Sequence, residues 1–283
     1  MVVDDPTSSL PAVSATAVGV AAIRAAEATR TDALFADPLA DAFVRAAGTR
    51  WGPRTDPPPP ERIAALIMWV RVRTRFLDDV VLDACANGCR QIVTLGAGLD
   101  ARAFRLDLPA DGRLFELDLS EILAFKQHVL RGEPHTAACE RIVVPTDLTG
   151  DWTRALRDAG FDAAHTTTWI AEGLLVYLPE QRREAVIDNV TDLSSPGSRL
   201  AVTLASAQRR PDRPDPPTSV PSRPGDYIAL WQSEAPPDTS AWLEPRGWSV
   251  SEFDAFQRAQ VYGLSAPPTA GTRRARLVDA TRR

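Results

Sequence analysis

The sequence predicts an α/β fold: a parallel sheet with helices on both faces, preceded by a helical N-terminal region. Three observations predict it. Through residue 88 the apolar residues recur at helical spacing. From Arg90 onward, short apolar runs alternate with amphipathic stretches, the rhythm of strand–helix–strand crossovers. Finally, Gly96-Ala97-Gly98 stands directly after the first apolar run, where a strand has to turn tightly into a helix.

Residues 12–30 are alanine-rich, with Val13, Ala17, Val20 and Ile23 at helical spacing, and predict a first helix. Residues 32–47 predict a second, with Leu34, Phe35, Leu39 and Phe43 on one side. The prolines from Pro57 to Pro60 break the chain, and 63–86 resumes a longer helix. Strands are expected over 92–95, 114–117, 142–144, 168–171, 200–204 and 248–253. Residues 208–226 hold six prolines, which suits neither a central strand nor a helix. They form either a solvated loop or a lid on the substrate side, since they follow the fifth strand.

The composition excludes several classes. At 283 residues, 44% hydrophobic and 24% charged, the chain is ordinary globular protein and not disordered. It is long enough to bury a core without disulfides or metals. Three cysteines (Cys85, Cys89 and Cys139) are too few, and odd in number, for a secreted disulfide scaffold. No run of ~18 apolar residues suits a membrane span, and MVVDDPTSSL lacks the basic flank of a signal peptide. A soluble, cytoplasmic protein is expected. A net charge of -5 offers no basic surface for nucleic acid. Lys126 is the only lysine among many arginines, a bias of high-GC genomes that weakens arguments from any single arginine.

The segment QIVTLGAGLDARAFRL, residues 91–106, carries the most chemistry. A buried strand runs into Gly96 and Gly98, and a helix is expected to begin near Leu99. Such a turn brings backbone close to a ligand. Asp118, 20 residues beyond Gly98 at the end of the second strand, is placed to meet a ribose diol. The pattern points to an adenosine-type cofactor. Gly96-x-Gly98-x-x-Ala101 also satisfies the looser dinucleotide fingerprint, so an NAD-dependent oxidoreductase stays open. Asp100 argues against a pyrophosphate: at ~6 Å and an effective dielectric near 20, like-charge repulsion is about 3 kcal/mol. S-adenosylmethionine (SAM) has no phosphate and carries a sulfonium and an ammonium. An acid-rich pocket of Asp100, Asp118, Asp147 and Glu172 favours it.

Three further segments bear on that site. Asp147 in VVPTDLTGDW follows the third strand, where it would accept from an adenine amino group or cap the next helix. Glu172 in WIAEGLLVYLP stands at the carboxyl end of the fourth strand. WVRVRTRFLDD supplies Arg71, Arg73 and Arg75, one of which could pair with the SAM carboxylate unless they form a solvated face.

Together these stretches resemble the leucine carboxyl methyltransferase-like group of class I SAM-dependent methyltransferases, and in particular its bacterial, actinobacterial-type branch. The matching segments are TAVGVAAIRAAEATRTDALFADPLADAF, RTRFLDD, QIVTLGAGLDARAFRL, LFELDLSEILAFK, TDLTGDW, WIAEGLLVYL and WLEPRGW, spanning roughly residues 16–250. The resemblance implies a class I methyltransferase, Rossmann-like seven-stranded sheet. An N-terminal helical cap would occupy residues 1–88, and the SAM-binding core 89–283, with the Pro-rich 208–226 as an insertion. It further implies that Gly96 and Gly98 line the cofactor, Asp118 binds its ribose, and Asp147 with the Leu148 backbone holds its adenine. Glu172 would face the methionine moiety, and Arg71 or Arg73 its carboxylate. Ungapped spacing favours Arg71 and the RT dipeptide favours Arg73. Arg24 is a weaker transfer to the same carboxylate. The 208–226 segment departs from the pattern and leaves the substrate side open.

Methyl transfer from a sulfonium is an in-line displacement, in which positioning can supply much of the catalysis. A carboxylate acceptor needs no base, whereas a phenol or alcohol usually does. No base stands out. His165 precedes the fourth strand at the far end of the sheet, and His128 and His135 flank the end of the second core helix, all as surface residues. Cys85-x-x-x-Cys89 lacks a second ligand pair for a metal. Tyr177 is a candidate for orienting substrate, and Trp69, Tyr227, Trp231 and Tyr262 for walling an apolar pocket. The expectation is an O-methyltransferase acting on a small-molecule carboxylate in the tailoring of a natural product, with a hydroxyl acceptor as the alternative. The rivals of other classes are the oxidoreductase and a non-catalytic SAM-binding protein.

Overall fold

Seven strands form one sheet in the order β3-β2-β1-β4-β5-β7-β6. They are β1 (Gln91–Leu95), β2 (Arg113–Asp118), β3 (Glu140–Pro145), β4 (Thr167–Ala171), β5 (Arg199–Ala205), β6 (Trp248–Asp254) and β7 (Ala275–Arg282). The computed structural model describes residues 12–48, 60–205, 232–265 and 275–283. The Pro-rich 208–226 segment, Tyr227 and Trp231 lie outside these residues.

Six of the strands occupy the expected segments, and β1 to β5 pair in parallel. The seventh departs from an all-parallel sheet: β7 inserts antiparallel between β5 and β6. Its sequence ARLVDATR hides this, because Arg276 and Asp279 interrupt the apolar run. Both are satisfied in place. Arg276 donates to Thr239 Oγ1 at 2.9 Å, and Arg199 Nε donates to Asp279 at 3.0 Å.

Alternation along the strands feeds two cores, because successive side chains point to opposite faces. On one face Val93, Leu95, Phe115, Leu117, Trp169, Ala171, Leu200 and Val202 pack under α6 (Trp152–Asp158), α7 (Glu180–Asp192) and α8 (Thr239–Leu243). Trp152, Phe161 and Trp169 form its aromatic centre, with Trp169 and Phe161 ring centroids 5.3 Å apart. On the other face Ile92, Leu114, Ile170, Ala201 and Leu277 pack under α3 (Pro60–Ala86) and α9 (Ala255–Val261).

α3 contributes Val72, Phe76, Leu77, Val80 and Val81 to the sheet's own hydrophobic layer. α1 (Ala12–Glu27) and α2 (Ala40–Ala47) pack onto the glycine loop and α5 (Ser120–Leu130) in a separate cluster through Val18, Leu39, Phe43, Leu99, Ile122 and Phe125.

Two helix expectations need correction. Residues 32–39 are not helical. Pro38 disfavours helical geometry at Asp37, whose carboxylate instead accepts from the Leu39 and Ala40 amides at 3.2 and 3.1 Å and so starts α2. The helix after the glycine loop, α4 (Arg102–Arg105), begins three residues past Leu99 and is only four residues long.

Candidate functional site

The register sets the site. Leu95, Leu117 and Ala171 sit abreast in neighbouring parallel strands, as do Leu117 and Val144. The residues that follow each of them (Gly96, Asp118, Thr146–Asp147 and Glu172) therefore line one carboxyl edge of the sheet, where open α/β sheets bind ligands.

Asp118 and the glycine loop are one unit. The Gly98 amide donates to Asp118 Oδ2 at 2.6 Å and the Leu119 amide to Oδ1 at 2.7 Å. Gly98 holds this pose at φ +45°, in the left-handed region that a Cβ disfavours. Burial pushes the Asp118 carboxyl above its ordinary range, and the two amide hydrogen bonds offset this only in part. Each oxygen keeps a further lone pair for a hydroxyl donor. That pair of acceptors fits a ribose diol.

Asp147 is exposed on the adjoining turn. Its Oδ1 accepts from both the amide and the hydroxyl of Thr149 at 2.8 Å, leaving Oδ2 without a hydrogen bond among the described residues. Leu148 is buried beside it.

Glu172 lies between two arginines. Arg73 Nε donates to its Oε1 at 3.0 Å, and Arg102 Nη2 is ion-paired to Oε2 at 2.8 Å. Burial raises its carboxyl, but the charges of Arg102 and Arg73, with Arg24 behind them, outweigh burial and the like charge of Asp100, so the shift is downward. Asp100 follows the same logic. Burial is overcome by Arg102, Lys126 and Arg105, together with the Arg102 amide, and the carboxyl is held well below the ordinary range.

The methionine end of the pocket is thus charge-compensated, while Asp118 and Asp147 keep the rest of it acidic. Asp100 and Glu172 are compensated by Arg102 and Arg73, and Asp78 by Arg102 and by both nitrogens of the Arg105 fork at 2.6 Å. The repulsion that Asp100 was expected to exert on a pyrophosphate loses most of its force here. An internally compensated cluster instead suits a zwitterion, an ammonium beside a carboxylate, and the amino-acid end of SAM is one.

The three candidate arginines separate. Arg73 reaches the crevice, its guanidinium over the Trp69 ring at 5.8 Å and against Gly173. Arg71 does not: two residues on, α3 has turned by about 200°, and Arg71 is ion-paired to Glu27 at 2.7 Å and donates to the Asp32 carbonyl at 2.6 Å. Arg75 pairs with Asp79. Arg24 joins Asp37 at 2.8 Å to the Leu99 carbonyl at 2.6 Å, so it braces the glycine loop.

Tyr177 is half-buried on a 3₁₀ turn, Leu175–Tyr177, just past Glu172. Tyr262 donates to Asp79 at 2.9 Å and packs α9 on α3, so it does not wall a pocket. His165 is exposed beside Asp162 and His128 lies near Arg131, both away from the carboxyl edge. Among the described residues no group of three or more His, Cys, Asp or Glu could hold a metal. No helix among them is long and apolar enough to cross a membrane.

The sequence reading missed Arg102, Arg105, Asp78 and the buried Lys126, which pairs with Glu116 at 2.9 Å. The available signal was the Asp-x-Arg spacing of LDARAFRL; it was muted by the chain's excess of arginine.

Comparison with known proteins identifies the family. Residues 17–191 match the family described as leucine carboxyl methyltransferase. A protein of Frankia alni, provisionally named an S-adenosyl-L-methionine-dependent methyltransferase, is 45% identical over 282 residues, covering 95% of both chains. One of Streptomyces avermitilis with the same provisional name is 44% identical, covering 96% of both. Among solved structures, a DUF574 family protein from Streptomyces avermitilis shares the fold at a TM-score of 0.55 and 15% identity, covering 93% of this chain and 97% of that one.

Proposed function

Since the chain belongs to the leucine carboxyl methyltransferase family and is a SAM-dependent methyltransferase, we propose that it methylates a carboxylate of a small molecule, forming a methyl ester in the tailoring of a natural product. The observation that carries this reading is the state of Glu172. The acid at the heart of the crevice is clamped by Arg73 and Arg102 and held ionised, so it serves as an anchor and not as a proton acceptor. Asp118 is likewise engaged by two amides. A carboxylate acceptor is already ionised at neutral pH and asks for no base. The family's description as a leucine carboxyl methyltransferase supports the same acceptor class.

The cofactor supplies a methyl group on a sulfonium sulfur. In this proposal Asp118 accepts from its ribose hydroxyls, Gly96 and Gly98 give it close backbone approach, and the free Asp147 Oδ2 with the Leu148 amide receives its adenine. Arg73 takes its carboxylate, and Glu172 faces its ammonium. Arg24 and Arg71 brace the glycine loop and the N-terminal helices around these groups. Tyr177 orients the acceptor.

The test uses SAM labelled in the methyl group with matched panels of small carboxylic acids and phenols. Mild alkali releases an ester's label as methanol and leaves an ether's in place. Alkali-labile product from acids supports the reading; stable product from phenols alone overturns it.

A further inference from the structure

Arg102 is almost fully buried, and its three nitrogens each meet a different carboxylate: Asp78 on α3 at 2.8 Å, Asp100 on the glycine loop, and Glu172 at the end of β4 at 2.8 Å. We propose that Arg102 is the positioning residue of the crevice, aiming Asp100 and Glu172 at the cofactor's ammonium. The inference rests on the placement of the methionine end against Glu172 given above.

Structural need alone accounts poorly for this cluster. Burying an arginine among three acids costs desolvation that apolar residues of similar volume would avoid. The rigid planar fork sets its nitrogens toward three separate elements, hydrogen-bonding Asp78 and Asp100 and ion-pairing with Glu172, whereas an ammonium is a compact charge on a flexible stem. Arg105 supplies the contrast. It is equally buried in ion pairing, but both its bonds go to Asp78, so it fixes α4 on α3 and touches neither crevice acid.

The groups facing these acids define the charge balance. Glu172 sees Arg102 on α4, Arg73 on α3, Arg24 on α1 and the like charge of Asp100. Asp100 sees Arg102, Arg105 and, from α5, Lys126. Arg102 is the only residue that pairs directly with both among the described residues.

The experiment compares the affinity of S-adenosylhomocysteine with that of methylthioadenosine, which lacks the amino-acid end, across pH by calorimetry. Their ratio isolates the methionine end and cancels any titration of Asp118. In the native enzyme the ratio is expected to hold as pH falls through 4.5, the ordinary glutamate value. Arg102→Lys is expected to reduce it on the order of tenfold, equivalent to one pKa unit, and to move its acid limb to higher pH. Arg105→Lys should lower the unfolding temperature and leave the ratio unchanged. Glu172→Gln tests the placement separately: if it leaves the ratio intact, that placement fails and the inference falls with it. If Glu172→Gln collapses the ratio while Arg102→Lys does not, the placement stands and Arg102 is merely structural. Should the Arg102 variant not fold, a native ratio already lost above pH 4.5 overturns the proposal.

Discussion

Arg73 Nε lies 3.0 Å from Glu172 Oε1, joining residues 99 positions apart and fastening α3 to the carboxyl end of β4. Removing one partner of such a pair leaves the other buried without its charge. Glu172→Gln strands Arg73 and takes one of the three carboxylates from Arg102. It should destabilise the fold by about 2–4 kcal/mol, read as a fall in denaturation midpoint at unchanged m-value.

Arg71 and Arg73 should separate in function. Arg73→Met is expected to raise the KM for SAM at least about tenfold, the scale of a lost charge-assisted pair. Arg71→Met releases Glu27 and Asp32 on the N-terminal side, so it should lower the unfolding temperature and change that KM much less. The reverse pattern in steady-state kinetics would reassign the carboxylate site.

Gly173→Ala meets two obstacles. Its φ is +60°, and the new methyl would lie 3.2 Å from Arg73 Nη1. Left-handed strain alone costs about 1 kcal/mol, a fall of roughly 2–4 °C for a domain of this size. Displacement of Arg73 should add a loss of SAM affinity, which thermal shift with and without ligand would reveal.

Glu116 holds two buried cations, Lys126 at 2.9 Å and Arg141 at 2.6 Å. Burial lowers the Lys126 pKa, with the Glu116 charge opposing the shift. Glu116→Gln strands both cations and should cost about 3 kcal/mol or more. Lys126→Met leaves Glu116 paired with Arg141 and should cost clearly less. Chemical denaturation of the two variants checks the order.

Asp118 and the arginine-bound acids pull stability in opposite directions with pH. Glu172 and Asp100 have depressed folded pKa values, so their contribution is present above 4.5 and 3.8 and is lost as pH falls through the folded values. Asp118 is raised, so its contribution is complete below 3.8 and is lost as pH rises through its folded value. A ligand donating hydroxyls to ionised Asp118 should therefore expel a proton at pH below the raised folded value and none well above it. Calorimetry in buffers of different ionisation enthalpy measures that proton.

The legible parts of the sequence were those governed by local rules. Strand runs such as QIVTL and TTWIA, and the turn Gly96-Ala97-Gly98, announce themselves through apolar continuity and backbone freedom. β7 did not, because Arg276 and Asp279 are satisfied by partners distant in sequence, Thr239 and Arg199. The charge of the pocket was misjudged for the same reason. Asp100 and Glu172 are visible as acids, but the arginines that neutralise them come from α3 and α4, and only the packing of α3 on the sheet brings Arg73 to Glu172. Helical phase then divides Arg71, which spacing to the glycine loop favoured, from Arg73, which the RT dipeptide favoured.

The most direct test is calorimetric titration of S-adenosylhomocysteine into the native protein and Asp118→Asn. The substitution keeps size and one acceptor for the Gly98 amide while removing the charge that receives the ribose. The account predicts binding by the native protein, weakened at least about tenfold in the variant, with a fall in the unfolding midpoint of the free protein because the Leu119 amide then faces a donor. Equal affinities in the two proteins would contradict a cofactor site at the carboxyl edge of β1 and β2.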